Sequence, residues 1–205
     1  MHPYISDTEL AARGLFELIG QDDLILERKG SELRAAVGER QRAQAILHAG
    51  APPSAFGEDT TAYFEKKIRD ARELSARVES EIADLEPLIA AKEASIQALA
   101  GAVLQIAKQG IAIAYRSLAS CPPGRSIGRE TVSNTIWQAR NQSMHWEEST
   151  FKPQVLACFN RLALDFGPEF QLPPATPRSL ARQVVRLLGW STYGAYEQDM
   201  VSLLP

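Results

Sequence analysis

One repeat governs what this chain can fold into. Phe64, Ile68, Ala71, Ser75, Val78, Ile82, Leu85, Ile89, Lys92, Ile96, Leu99, Val103 and Ile106 follow one another at alternating steps of four and three residues, and Gly110 and Ile113 continue the pattern. An α-helix turns once in about 3.6 residues, so these positions form a seam along a single helical face. A half-buried strand needs alternation of period two, which is nearly absent here. The expected fold class is therefore all-α. Glu, Lys and Arg flank the first half of the seam, as on a solvated coiled-coil arm. Pro87 removes a backbone donor and is expected to kink or split the helix. Beyond it, "ALAGAVLQIAKQGIAIAYRSLA" is apolar on most sides and reads as a buried bundle helix. The seam up to Leu85 is too long to stay bare. Its expected partner is a helix over about residues 22–48, folded back as a hairpin across "AGAPPSAFGED". A charge on either half of the seam should destabilise, and Leu99→Asp is expected to cost more than Ile82→Asp.

The other elements follow from punctuation. Ser6 and Glu9 have capping-box spacing for a first helix, and Gly20 with Asp22 and Asp23 suggests a break after it. The loops "SCPPGRSIG" and "FGPEFQLPPATP" separate helices expected near 129–147, 152–165 and 177–189. Thr176 is the expected N-cap of the last of these, with Pro177 at its first position, and a short helix is expected over 196–204. The domain reading is an N-terminal helical arm over residues 1–86 and a helical bundle over 88–205.

Composition narrows function mainly by exclusion. A chain of 205 residues can bury a substantial core. A net charge of −3 gives no bulk attraction to nucleic acid, so any such binding must come from a local patch. Such a patch would draw on 16 Arg and 6 Lys. Cys121 and Cys158 have neither CxxC spacing nor nearby His, which points to reduced thiols rather than a metal site or disulfide framework. No basic-then-apolar leader opens the sequence, and no run of 18 consecutive apolar residues occurs; a cytoplasmic protein without a membrane span is expected. No Gly-rich phosphate loop of the Walker type is present, and no cofactor is expected.

The chemistry concentrates in "TIWQARNQSMHWEE", residues 135–148, where Arg140, Asn141 and His145 lie between two tryptophans. Arg followed by a polar residue and then, after four intervening positions, His resembles the signature of HEPN domains, small helical bundles named for higher eukaryotes and prokaryotes nucleotide-binding. The resemblance covers roughly residues 88–205 and leaves the arm outside. It implies a bundle of HEPN type and a metal-independent endoribonuclease, often a toxin or phage-defence effector, whose site forms across a homodimer. The implied partners are RNA, a second copy of the chain, and an antitoxin or another defence-system protein. The implied catalytic residues are Arg140, Asn141 and His145.

The side chains suit that chemistry on their own terms. RNA can be cut by attack of its own 2′-hydroxyl on the adjacent phosphorus. Imidazole moves protons near neutral pH, a guanidinium offsets the extra negative charge of the phosphorane, and an amide can hold either. Spacing sets a condition. Residues five apart lie about 140° apart around a straight helix, so either His145 falls at a helix end or distortion, or the pair meets through a second subunit. Arg116, Arg125 and Arg129 flank the start of the motif helix and are candidate RNA contacts, with a solvated loop as the plain alternative. Arg140 with Glu147 or Glu148 would make an ordinary helix-surface ion pair, and Trp137 and Trp146 suit the core. A second match to the bare pattern, Arg42 and His48, lies in a plain amphipathic helix and is read as coincidence. Competing functions are a non-enzymatic interaction module working through the arm and a nucleotide-sensing relative.

Overall fold

The computed structural model describes residues 2–50, 58–148, 150–172 and 177–204. Two long helices, α1 (Pro3–Ala49) and α2 (Glu58–Tyr115), are followed by a short antiparallel pair, β1 (Ser126–Ile127) and β2 (Glu130–Thr131). Four shorter helices complete the chain: α3 (Val132–Met144), α4 (Pro153–Phe166), α5 (Ala181–Leu187) and α6 (Tyr193–Leu203). The fold is all-α. The chain divides into two compact units, Leu24–Glu93 and Met1–Asp23 with Ala94–Pro205.

The first unit is the helical hairpin the seam called for. Ala71, Ser75, Val78, Ile82 and Leu85 of α2 are buried, as are Ala36 and Ala43 of α1. Ala36, Val78 and Ile82 form one cluster with Leu33, Val37 and Leu74 packed against it. Alanine on the α1 side lets two helix backbones approach closely. The connector at 51–57 lies outside the described residues. α2 does not split at Pro87. Proline removes one bond, to the carbonyl of Ala83, and both residues are exposed, so water can meet the orphaned oxygen.

The second unit has a deeper core. Ile5, Ala12 and Phe16 from the start of α1 enter it beside Leu104, Ile111, Phe159, Trp190, Tyr196 and Met200. The first two dozen residues therefore belong to the bundle, not to the arm as the sequence suggested. α1 is one helix with no break at Gly20. Tertiary bonds engage the two aspartates that looked like a stop signal: Asp22 accepts from Ser95 Oγ at 2.7 Å, and Asp23 pairs with Arg182 and Arg186. The helix starts at Pro3 rather than at Ser6, with His2 Nδ1 accepting from the Tyr4 amide at 3.2 Å, and Glu9 instead pairs with Arg13 at 2.7 Å. Tyr4 donates its hydroxyl to the Ile106 carbonyl at 2.9 Å, with its ring so close to Gly110 that a Cβ there would sit 2.8 Å from it.

α2 is long and apolar enough by composition to pass for a membrane span, contrary to the simple run test. In the bundle, its Val103, Leu104, Ala107 and Ile111 are buried in the protein core. Leu99 is only half-buried whereas Ile82 is 6% exposed, which reverses the expected order of the two aspartate substitutions. α5 starts at Ala181, later than expected, because residues 178–180 bond elsewhere, as described below. Thr176 lies outside the described residues.

Candidate functional site

α3 carries the Arg-Asn-His motif. Thr131 caps its start, the hydroxyl accepting from the Asn134 amide at 3.4 Å. Gly128, with φ of +57°, opens the two-residue turn that brings β2 to this cap. Val132, Ile136 and Ala139 recur at helical spacing and are buried with Thr135 and Gln142. The neighbouring face packs against α2 in antiparallel register. Lys108 Nζ sits 4.6 Å from the Trp137 ring centroid, Gln105 Oε1 accepts from Arg140 Nε at 2.5 Å, and a Cβ on Gly101 would lie 3.8 Å from Ser143 Oγ.

The end of α3 separates the motif's two halves. Gln142 is fully buried; its Nε2 donates to the Arg178 carbonyl at 2.7 Å and its Oε1 accepts from the Leu180 amide at 2.9 Å. That clamp delays α5 and fixes the last turn of α3. His145 is the C-cap, with φ −127° and ψ 18°, and its amide reaches back to the Gln142 carbonyl at 3.3 Å. The chain then tightens into a 3-10 turn over Trp146–Glu148. His145 thus meets the first alternative that its spacing allowed, a position at the helix end.

The side chains sort plainly. His145 Nδ1 lies 2.6 Å from Glu148 Oε1, and both side chains are half-exposed. A carboxylate only accepts, so Nδ1 donates in this contact and Nε2 is left without a protein partner among the described residues. Arg140 binds Gln105 through Nε, and its Nη1 lies 3.5 Å from Asn141 Oδ1. No ion pair joins it to Glu147 or Glu148 among the described residues. Nor does a hydrogen bond join His145 to Arg140 or Asn141; within one chain they share the end of a helix rather than a contact. Trp137 is half-buried and packs against the bundle core, whereas Trp146 is exposed and is not the core residue the sequence suggested.

Two of the three flanking arginines are engaged by carboxylates. Arg125 makes a two-pronged pair with Asp199, Nε to Oδ1 at 2.7 Å and Nη2 to Oδ2 at 2.8 Å, and Nη2 also donates to the Leu188 carbonyl at 2.6 Å. Asp199 is buried and also accepts from Trp190 Nε1 at 2.7 Å. Arg125 is thus a structural clamp. Arg129 pairs with Asp165, whose Oδ2 accepts from its amide at 2.7 Å and whose Oδ1 lies 3.2 Å from its Nε as an ion pair. Arg116 is exposed and closes α2 with a left-handed φ of 61°. Gln105 and Lys108 are the residues the sequence reading passed over. Their signal was visible as polar positions three apart inside the apolar "AVLQIAKQGIAIA".

Behind α3, buried Glu130 pairs with Arg161 and accepts from Asn134 Nδ2 at 2.6 Å. Burial, reinforced by Glu130, pushes the Cys158 thiol up to about 12, so it is an unreactive core group. Both cysteines are free. Among the described residues no three His, Cys, Asp or Glu side chains gather as a metal site. Two surface clefts of the bundle, one lined by Arg13, Phe16 and Tyr193 and the other by Asp23, Arg186 and Trp190, include no residue of α3. No family model matches the chain, and no curated protein or solved structure is significantly similar to it.

Proposed function

We propose that the protein is a metal-independent endoribonuclease of the HEPN type, a toxin or phage-defence effector acting as a homodimer in the cytoplasm. The observation that carries this reading is the helix end at Met144. It releases His145 from the 140° offset of a straight helix and seats its ring against Glu148, with Nε2 free to exchange a proton.

The chemistry proceeds in one displacement. Nε2 of His145 takes the proton of a 2′-hydroxyl as that oxygen attacks phosphorus. Arg140, held by Gln105, offsets the charge gathering on the phosphorane oxygens, with Asn141 beside it. The bond to the 5′ oxygen breaks, and the imidazolium returns a proton to that oxygen. The products are a 2′,3′-cyclic phosphate and a 5′-hydroxyl. A second copy of the chain would bring the other subunit's Arg140 and His145 to the same cleft.

The test is direct. Purified protein is incubated with RNA, with and without EDTA, and with RNA carrying 2′-deoxyribose at the cut position. Cutting that ignores the chelator, leaves cyclic phosphate ends and fails on the deoxy substrate is expected. Absence of cutting, or loss of activity with EDTA, sinks the mechanism. A monomer by light scattering at micromolar concentration counts against the shared cleft. The alternative, an interaction module, draws on the arm: a unit with its own core and an apolar cleft between Ala45, Ile46, Phe64 and Ile68 that RNA cleavage does not use.

A further inference from the structure

We propose that Lys108 and Arg140 together form a phosphate subsite for the RNA backbone, with Trp137 and Gln105 holding the two cations in place. It rests on the ribonuclease reading only for the choice of RNA as ligand. Four side chains carry it, two from each of two packed helices. Gln105 and Lys108 are three apart on α2, and Trp137 and Arg140 are three apart on α3. Three-residue spacing puts each pair on one helix face. The antiparallel register then sets Gln105 against Arg140 and Lys108 against Trp137.

Among the described residues, neither Lys108 nor Arg140 forms an ion pair with a carboxylate, whereas Arg13, Arg125, Arg129, Arg161, Arg182 and Arg186 all do. Both cations are half-buried, so solvent screens them less than on an open face. Burial, and then the positive charge of Arg140, holds the Lys108 ammonium below its ordinary value. Arg140 thus works against the Lys108 charge in the free protein. Methionine at 108 would pack over Trp137 without that cost. A bound phosphodiester reverses the sign of the interaction, because each cation then faces an anionic oxygen. Neutral side chains do the holding, a ring face under the ammonium and an amide oxygen on Nε, so neither cation is neutralised.

The experiment measures binding, not cutting. The probe is a short fluorescent 2′-O-methyl oligoribonucleotide, which lacks the attacking hydroxyl, titrated by anisotropy at several salt concentrations. Lys108→Met and Arg140→Gln should each weaken binding by about tenfold or more. The slope of log affinity against log salt should become shallower by about 0.7 for each lost phosphate contact. Lys108→Arg should restore affinity, and Lys66→Met, in the arm, should not change it. Lys108→Met should unfold no earlier on heating than the parent, an outcome a merely structural lysine would not give. Wild-type affinity in Lys108→Met overturns the subsite even if the protein cuts RNA, and so does absence of probe binding by the parent. Displacement of the probe by inorganic phosphate or AMP at matched phosphate concentration also overturns it, reassigning the pair to a free ligand. Lys108-dependent binding without cutting of ordinary RNA upholds the subsite and removes the ribonuclease reading.

Discussion

The arm and the bundle each contain an Arg-to-His pair of nearly the same spacing, and the local structure treats them differently. Arg42 and His48 are exposed positions on the uninterrupted α1, so the helix fixes them on different faces. Arg140 lies inside α3, and His145 stands just past its end, against a carboxylate. The same contrast runs through the packing. The arm's core is a thin seam of Ala36, Val78 and Ile82, made by residues close to a repeat. The bundle's core joins segments 36 and 74 residues apart through polar bonds such as Gln142 to Arg178 and Arg125 to Asp199, each with one buried partner. A repeat builds an element, whereas a site needs an element to end in the right place, and distant contacts decide that.

The largest expected effect separates the two pairs. His145→Ala or Arg140→Ala should cut RNA cleavage by roughly 100- to 10,000-fold with circular dichroism unchanged, while His48→Ala should be silent. A silent His145→Ala, or an inactive His48→Ala, breaks the contrast.

Next comes the seam. Ile82→Asp buries a charge in the arm and should cost on the order of 3 kcal/mol or more in denaturant unfolding. Leu99→Asp should cost less, because Leu99 keeps partial access to water. The reverse order would show that the arm contributes little to the cooperative unit.

Asp199→Asn in the bundle keeps the shape but removes the charge that Arg125 and Trp190 share. A loss of about 2–3 kcal/mol is expected by the same measurement. No change would mean that the clamp is solvated and idle.

Alkaline pH should reach the bundle before the arm. Burial pushes Cys158 and Tyr193 up to about 12, with Glu130 and Glu197 adding respectively, and raises Tyr196. Each folded value lies above the unfolded one, so the stability these groups carry is complete below about pH 9–10 and is lost as pH climbs toward 12. All three tryptophans lie in the bundle. Their fluorescence should therefore shift before helical ellipticity collapses, and simultaneous loss would tie the two units into one transition.

The smallest effect has opposite signs in the two regions. Nothing lies within 4 Å of a Cβ on helical Gly38 of the arm, so Gly38→Ala should stabilise by about 0.5–1 kcal/mol. Gly110→Ala in the bundle meets the Tyr4 ring and should lower the unfolding temperature. Equal shifts would show that Tyr4 moves aside freely.

Sequence alone determined the elements whose cause is local. Steps of four and three residues are a property of one helix, and they located the α2 seam and its need for a hairpin partner without any knowledge of the rest. The helix that bears the Arg-Asn-His stretch was legible for the same reason. Tertiary structure decided what short stretches cannot encode. Gly20 and two aspartates read as a stop until Ser95, Arg182 and Arg186 engaged those aspartates from elsewhere in the chain. Arg125 and Arg129 read as free cations until Asp199 and Asp165 neutralised them from other helices. Gln105 and Lys108 carried no mark of their partners in the sequence; those partners, Arg140 and Trp137, come from α3. A charge's role depends on what lies within a few ångströms of it, and in a bundle those neighbours come from distant parts of the chain.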